Sequence, residues 1–186
     1  MGKSIGRRPI HQSENQTGLE RGKTMREKIL QAIRKNEIQT YSVTEKTTEG
    51  AELYFIKKDL DMRRMKKDAY SEVTIYRDFE VDGKKMRGSA DINIFPEMTQ
   101  EEVDKAVSGA FYAASFVKNP YFEIPKGKKE DKVEVESTLC GKSLEETGDA
   151  FVKALYCVDV HEDAFINTAE FFMDKTWTAI YNSEGV

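Results

Sequence analysis

Residues 82–117 read DGKKMRGSADINIFPEMTQEEVDKAVSGAFYAASFV, and two periodicities meet in them. Met86, Gly88, Ala90, Ile92 and Ile94 recur at every second position, with Arg87, Ser89, Asp91 and Asn93 between them. A side-chain period of two belongs to a strand with one face in a core and the other in water. Asp82-Gly83, just ahead, is a dipeptide favoured in two-residue hairpin turns, where both central residues take positive φ. Phe95-Pro96 closes the strand. Thr99 and Glu102 then stand at capping-box spacing. From Val103 the period changes. Val103, Ala106, Val107, Ala110, Ala114 and Val117 fall at i, i+3, i+4, i+7, i+11 and i+14, which is one face of a helix. The small side chains of Ala110, Ala113 and Ala114 allow close approach to a sheet, and Asn119-Pro120 ends the helix. Two apolar faces in succession each need a cover. The Val103/Val107/Ala110/Ala114 face is therefore expected to pack on the Met86–Ile94 face.

Upstream, Ile38 to Phe95 carries strand chemistry throughout. Tyr41, Val43, Thr44, Thr47 and Thr48 favour extended backbone. Leu53 and Phe55 alternate with Tyr54 and Ile56. Lys58-Asp59 is expected to turn the chain into a second strand near Leu60–Lys67. Val73 and Ile75 point one way, Thr74 and Tyr76 the other. Ahead of these strands, Thr24 and Glu27 have capping-box spacing, and Ile29, Leu30 and Ile33 form one stripe of a helix ending near Asn36. Residues 1–24 have only Met1, Ile5, Ile10 and Leu19 as large apolar residues and read as a disordered tail. Met25 is an alternative natural start.

Downstream, residues 126–136, KGKKEDKVEVE, read as a charged linker between an α+β domain at 25–125 and a smaller unit at 137–186. Ser143 and Glu146 cap a third helix, with Leu144, Phe151, Val152, Leu155 and Val158 expected inward. Ala164–Met173 and Thr176–Tyr181 are expected to form a hairpin about Asp174-Lys175. Asn182-Ser183-Glu184-Gly185 is a turn signature with one residue after it, which suggests a piece of a longer protein whose last strands keep an open edge or else fold back on the third helix. The fold class is α+β: an antiparallel β meander covered by amphipathic helices, followed by a smaller helix plus β-hairpin unit.

The 29 basic and 33 acidic residues give a net charge of −4, which disfavours general nucleic-acid or membrane binding. No apolar run approaches the roughly 20 residues of a membrane span. Cys140 and Cys157 are too few for a disulfide framework and read as reduced thiols of a cytoplasmic protein. His161-Glu162 opens like a zinc-binding helix, but Phe165 and Ile166 stand where a second histidine would share the ion. His161 thus reads as a surface or turn residue, and Cys157 as a small core residue. Phosphate-binding glycine loops and nucleophile elbows are absent. Lys57, Lys58, Arg63, Arg64, Lys66 and Lys67 form a basic cluster beside Tyr54, Phe55 and Tyr70. It is suited to nucleic acid or an acidic strand, or it is a solvated hairpin broken up by Asp59, Asp61 and Asp68.

Four stretches resemble the N-terminal region of the TldD/PmbA family, metallopeptidases once called modulators of DNA gyrase. REKILQAIRKN (26–36) resembles the family's opening helix, and AELYFIKKDLDMRRMKKDAYSEVTIYRDF (51–79) its sheet. MRGSADINIFPEMTQEEVDKAVSGAFYAASFVKNPYFEIP (86–125) resembles the following strand, its alanine-rich helix and an Asn119-Pro120-Tyr121 exit. INTAEFFMDKTWTAIYNSEGV (166–186) resembles the strand pair that ends in an Asn-Ser-x-Gly turn. The order and spacing of the pieces, over 25–186, carry the resemblance, which points to a PmbA-like or TldD-related branch.

The resemblance implies a zinc site in catalytic members, formed by an HExxxH helix and a later cysteine in the C-terminal part. No residue here matches it, so it implies no catalytic, cofactor-binding or metal residue in this chain. It also implies an N-terminal region that shapes the subunit and a chamber for unfolded peptides, in a homodimer or a heterodimer with a TldD/PmbA-type subunit. PmbA-like members lack HExxxH and partner a catalytic subunit. A non-catalytic interaction module is therefore the second expectation. A nucleic-acid-binding module using the basic hairpin is the third.

Overall fold

The computed structural model describes residues 23–127, 137–139 and 141–185. Helix α1 (Met25–Lys35) opens on the expected capping box: the Glu27 N–H donates to Thr24 Oγ1 at 3.2 Å and the Thr24 N–H to Glu27 Oε2 at 2.7 Å. Strands β1 (Thr40–Ile56), β2 (Asp59–Val81) and β3 (Lys84–Ile94) then form an antiparallel meander. Asp82 (φ 50) and Gly83 (φ 73) make the second turn as the dipeptide predicts. The first turn falls at Lys57-Lys58, one residue early, with Lys57 at φ 56. What read as separate extended runs near Leu60–Lys67 and Val73–Tyr76 is one strand, β2.

Helix α2 (Gln100–Ala113) follows, capped by Thr99 and Glu102, and runs into a 3₁₀ turn at Ala114–Phe116. Val117 is extended (ψ 128) and 37% exposed, so the helical face ends before it. The short strand β4 (Asn119–Pro120) pairs with Arg87 and Met86. Helix α3 (Leu144–Tyr156) and strand β5 (Thr168–Asn182) complete the fold. The sheet order is β4-β3-β2-β1-β5. The architecture is α+β, with the helices on an antiparallel sheet.

Length explains why two helical covers are needed. The 17 residues of β1 rise about 3.3 Å each, whereas the 11 residues of α1 rise about 1.5 Å each. One helix pair cannot span such a ribbon. Over one half, α1 and α2 enclose Ile29, Ile33, Val43, Val73, Ile75, Ile94, Val103, Val107 and Ala110. The helix face and the strand face meet as their periods predict. Leu53 and Phe55 lie an even number of residues from Val43 and so share its face. They lie under α3.

The turn expected at Asp174-Lys175 does not form. Both residues continue β5, opposite Gly50 and Glu49 of β1. Neither is a glycine, and β1 offers a partner for every residue from Thr168 to Asn182. Gly50 leaves the room that Lys66 and Asp174 close over in an ion pair of 3.2 Å. In α3 the inward position is Gly148, with Leu144, Val152 and Leu155 half-buried, while Phe151 and Val158 are exposed. The side-chain-free turn at Gly148 lets the helix settle on Leu53 and Met173. That rotates Phe151 outward, and Val158 lies beyond the helix end. Cys157 is likewise exposed rather than a core residue, because the helix ends there with its Sγ against the Ala154 carbonyl.

The expected tail at 1–24 and linker at 126–136 lie outside the described residues, apart from their ends, as does Cys140. Among the described residues no helix is long and apolar enough to cross a membrane.

Candidate functional site

Three places on the molecule combine shape with chemistry. The first is a cavity of about 220 Å³ between α3 and the far half of the sheet. Leu53 and Phe55 of β1, Leu60 of β2, Met173 of β5 and Val152 of α3 give it an apolar lining. Arg63 of β2 and Glu145 and Asp149 of α3 form its mouth, with Arg63 Nη1 3.6 Å from Glu145 Oε1. Such a cavity holds an aliphatic or aromatic side chain and can meet charge of either sign at its lip. Its mainly apolar lining suits binding.

The second is the basic cluster. Alternation divides it between the two sheet faces, and acids meet most of its members. Lys58 lies 3.5 Å from Asp159, Arg64 3.8 Å from Glu52, Lys66 3.2 Å from Asp174 and Lys67 2.7 Å from Glu49. Arg63 meets Glu145 at the cavity, and Lys57 Nζ sits 5.5 Å from the Phe165 ring centroid. The charges form cross-strand and helix–sheet pairs rather than a continuous cationic stripe. The Asp174 carboxylate accepts a hydrogen bond from Lys66 and raises that ammonium's pKa. His161 is exposed, beside Lys57, Lys58 and Asp159 in the loop before β5. Among the described residues no three His, Cys, Asp or Glu side chains gather in a way that could hold a metal ion.

The third is a buried arginine that period-two reading assigned to solvent. Arg87 is 4% exposed. The segment after β4 folds back over it: Arg87 donates from Nη1 to the Phe122 carbonyl at 2.7 Å, and its guanidinium lies 4.5 Å from the Tyr121 ring centroid. Asp78 accepts two further bonds. The register was available, since a two-residue turn at Asp82-Gly83 places Arg87 opposite Asp78. The fold-back of 119–125 was not. This is a structural clamp, fully occupied by its own chain.

The sheet's two outer borders also differ. Beyond β3 lies β4, which carries Pro120. Beyond β5, no described residue pairs.

No family model and no curated protein sequence matches the chain. Solved structures similar to it include the following three. One is a candidate modulator of a DNA gyrase from Thermotoga maritima, at 18% identity and TM-score 0.59, covering 87% of this chain and 35% of that one. Another is TldE from Thermococcus kodakarensis, at 16% and 0.57, covering 85% and 35%. The third, a candidate modulator of DNA gyrase from Bacteroides thetaiotaomicron, stands at 11% and 0.59, covering 85% and 36%. The chain thus spans about a third of the length of these structures. They share its fold, and they are of the kind that the sequence resembles.

Proposed function

We propose that this chain is the N-terminal, non-catalytic portion of a TldD/PmbA-type metallopeptidase that acts on unfolded peptides in the cytoplasm. In this reading it shapes the subunit and one wall of the peptide chamber. The zinc site belongs to the C-terminal part of the complete enzyme. The observation that carries the reading is the shared fold along 85–87% of the chain with two candidate gyrase modulators and a TldE. The apolar cavity under α3 supports it, since a chamber wall for unfolded chains needs places for apolar side chains.

A second reading is favoured by the border of β5, beyond which no described residue pairs: the chain is an interaction module that joins a catalytic TldD-type subunit by strand pairing. One assay addresses both. A dye-labelled, reduced and carboxymethylated protein is incubated with the 186-residue chain, with a TldD-type catalytic subunit, and with the two together. The chain alone should cleave nothing and hold no stoichiometric zinc by elemental analysis. The first reading expects no effect on the added subunit, and peptidase activity once the downstream frame is supplied. The second expects a changed cleavage rate on mixing. Strong, salt-dependent DNA or RNA binding with neither effect would overturn both and favour the basic hairpin.

A further inference from the structure

The cavity under α3 is set by where that helix sits. Gly148 lets α3 close on Leu53 of β1 and Met173 of β5, so close that an added Cβ would lie 3.0 and 3.2 Å from them. In the sheet, β2 flanks β1 on the side away from β5. The helix is seated toward β5, and the space of about 220 Å³ opens between its other flank and β2. Leu144, Glu145, Asp149 and Val152 bound it on α3, Leu60 and Arg63 on β2. Glu145, Asp149 and Val152 fall at helical spacing on one flank, so an apolar wall and an acidic lip come from the same turns. An apolar cavity of about 150 Å³ is enough for a benzene molecule. This one has room for a single phenyl or branched aliphatic group.

The lip is acidic on balance. Glu145 and Asp149 bring two carboxylates, one turn apart, against the single guanidinium of Arg63. Arg63 lies 3.6 Å from Glu145 and is engaged there. No described cation stands within ion-pair distance of Asp149. Lys153, one turn further along α3, is not part of the lining. A ligand whose apolar group fills the cavity therefore brings its adjoining atoms to an unpaired carboxylate.

In a peptide, the atoms beside an internal side chain are neutral, an amide N–H on one side and a carbonyl on the other. Beside the first side chain they include an ammonium group, charged at neutral pH. A last residue would instead bring a carboxylate to a lip whose one guanidinium already meets Glu145. Resting on the peptide-chamber reading above, we propose that the cavity takes the free N-terminal residue of a peptide when that residue is aromatic or large and aliphatic. Its side chain occupies the space between Phe55, Leu60 and Val152, and its ammonium group pairs with Asp149. An apolar pocket supplies the affinity, and one well-placed charge fixes the orientation.

The test is a titration of the ¹⁵N-labelled 186-residue chain with the peptide Phe-Gly-Gly-Ser-Gly, followed by amide chemical shifts. Shifts are expected at Leu53, Phe55, Leu60, Asp149 and Val152. Acetylating the peptide's N-terminus should weaken binding about five-fold, as should moving the phenylalanine inward in Gly-Gly-Phe-Ser-Gly. Asp149→Asn should weaken the free peptide by the same factor and leave the acetylated one unchanged. Val152→Phe, which fills the cavity, should weaken both. Asp149 is exposed on α3, so its substitution leaves the core untouched and keeps the test decisive if Val152→Phe does not fold. Equal affinity for free and acetylated peptides would overturn the proposal, as would undiminished binding of the free peptide by Asp149→Asn. Shifts confined to other residues, or no shifts at all, would overturn it too. None of these results touches the peptidase reading, which depends on cleavage by the complete enzyme and not on binding to this chain alone.

Discussion

Arg87 and Asp78 stand opposite each other on β3 and β2 and are joined at two points, Nε to Oδ1 at 2.6 Å and Nη2 to Oδ2 at 2.8 Å. The hydrogen bonds from Arg87 hold the Asp78 carboxyl below its ordinary pKa, outweighing the opposing effect of burial. They raise the pKa of Arg87 in turn. The guanidinium is buried while the Asp78 side chain is 35% exposed. Loss of the carboxylate would leave a buried cation short of its partner.

Asp78→Asn should therefore destabilise the chain by about 1–2 kcal/mol at neutral pH, below the range for fully buried pairs because solvent reaches Asp78. A group with a lowered folded pKa contributes stability above its unfolded pKa and loses it as pH falls through the folded one. The gap between wild type and variant should shrink toward zero below the ordinary value of 3.8. Urea titrations at neutral and strongly acid pH measure it. An equal gap at both would show that the fork is not its source.

Gly88→Ala should be far more damaging than its size suggests. A Cβ there would lie 1.8 Å from the Ala114 carbonyl oxygen and 2.7 Å from that of Val117. Both obstacles are backbone, so the 3₁₀ turn would have to leave β3. We expect a loss of about 3 kcal/mol or more, which lowers Tm by roughly 10 °C in a chain of this size. A shift of only a degree or two would show that the turn yields freely.

Gly148→Ala should have the opposite sign. Its Cβ would meet Leu53 Cδ1 at 3.0 Å and Met173 Cε at 3.2 Å, both ends of flexible side chains. Both residues line the cavity beside α3, so they have space to move into. Alanine is favoured over glycine inside a helix by about 1 kcal/mol. Tm should rise by a few degrees. A fall would mean that Leu53 and Met173 are fixed, with the cavity doing nothing to relieve them.

These positions also show which parts of the structure were legible in the sequence. All three capping boxes, the Asp82-Gly83 turn and the seating of Val103 and Val107 on the sheet rest on contacts within a few residues or on a single period. The sequence carries both directly. The errors came where a distant segment decides. Asp174-Lys175 looks like a break until β1 lies beside it. Arg87 looks solvated until 119–125 returns over it. Phe151 looks inward until Gly148 sets the rotation of α3. The candidate site was less legible than the fold, because the cavity is built from β1, β2, α3 and β5 with no motif in any of them. The basic cluster was legible as residues and misleading as a patch, since its partners Glu49, Glu52 and Asp174 sit on neighbouring strands.

Ala110→Asp tests the main core and carries its own internal control. Ala110 is 4% exposed and belongs to the cluster with Ile94, Val103 and Val107. A carboxylate there has no charged partner among those residues. The unpaired charge should cost several kcal/mol. Burial favours the neutral acid, so the introduced group should have a raised folded pKa. A raised pKa contributes stability below the unfolded value and loses it as pH rises through the folded one. The deficit of Ala110→Asp should thus be smallest in acid and grow toward neutrality, the same direction as that of Asp78→Asn, although there the carboxylate belongs to the wild type and here to the variant. Ala110→Leu controls for volume alone and should show no such pH dependence. Chemical denaturation of the three chains between acid and neutral pH gives the answer. A deficit in Ala110→Asp that stays constant with pH would mean that the carboxylate reaches solvent, and that the α2 face is looser than its burial implies.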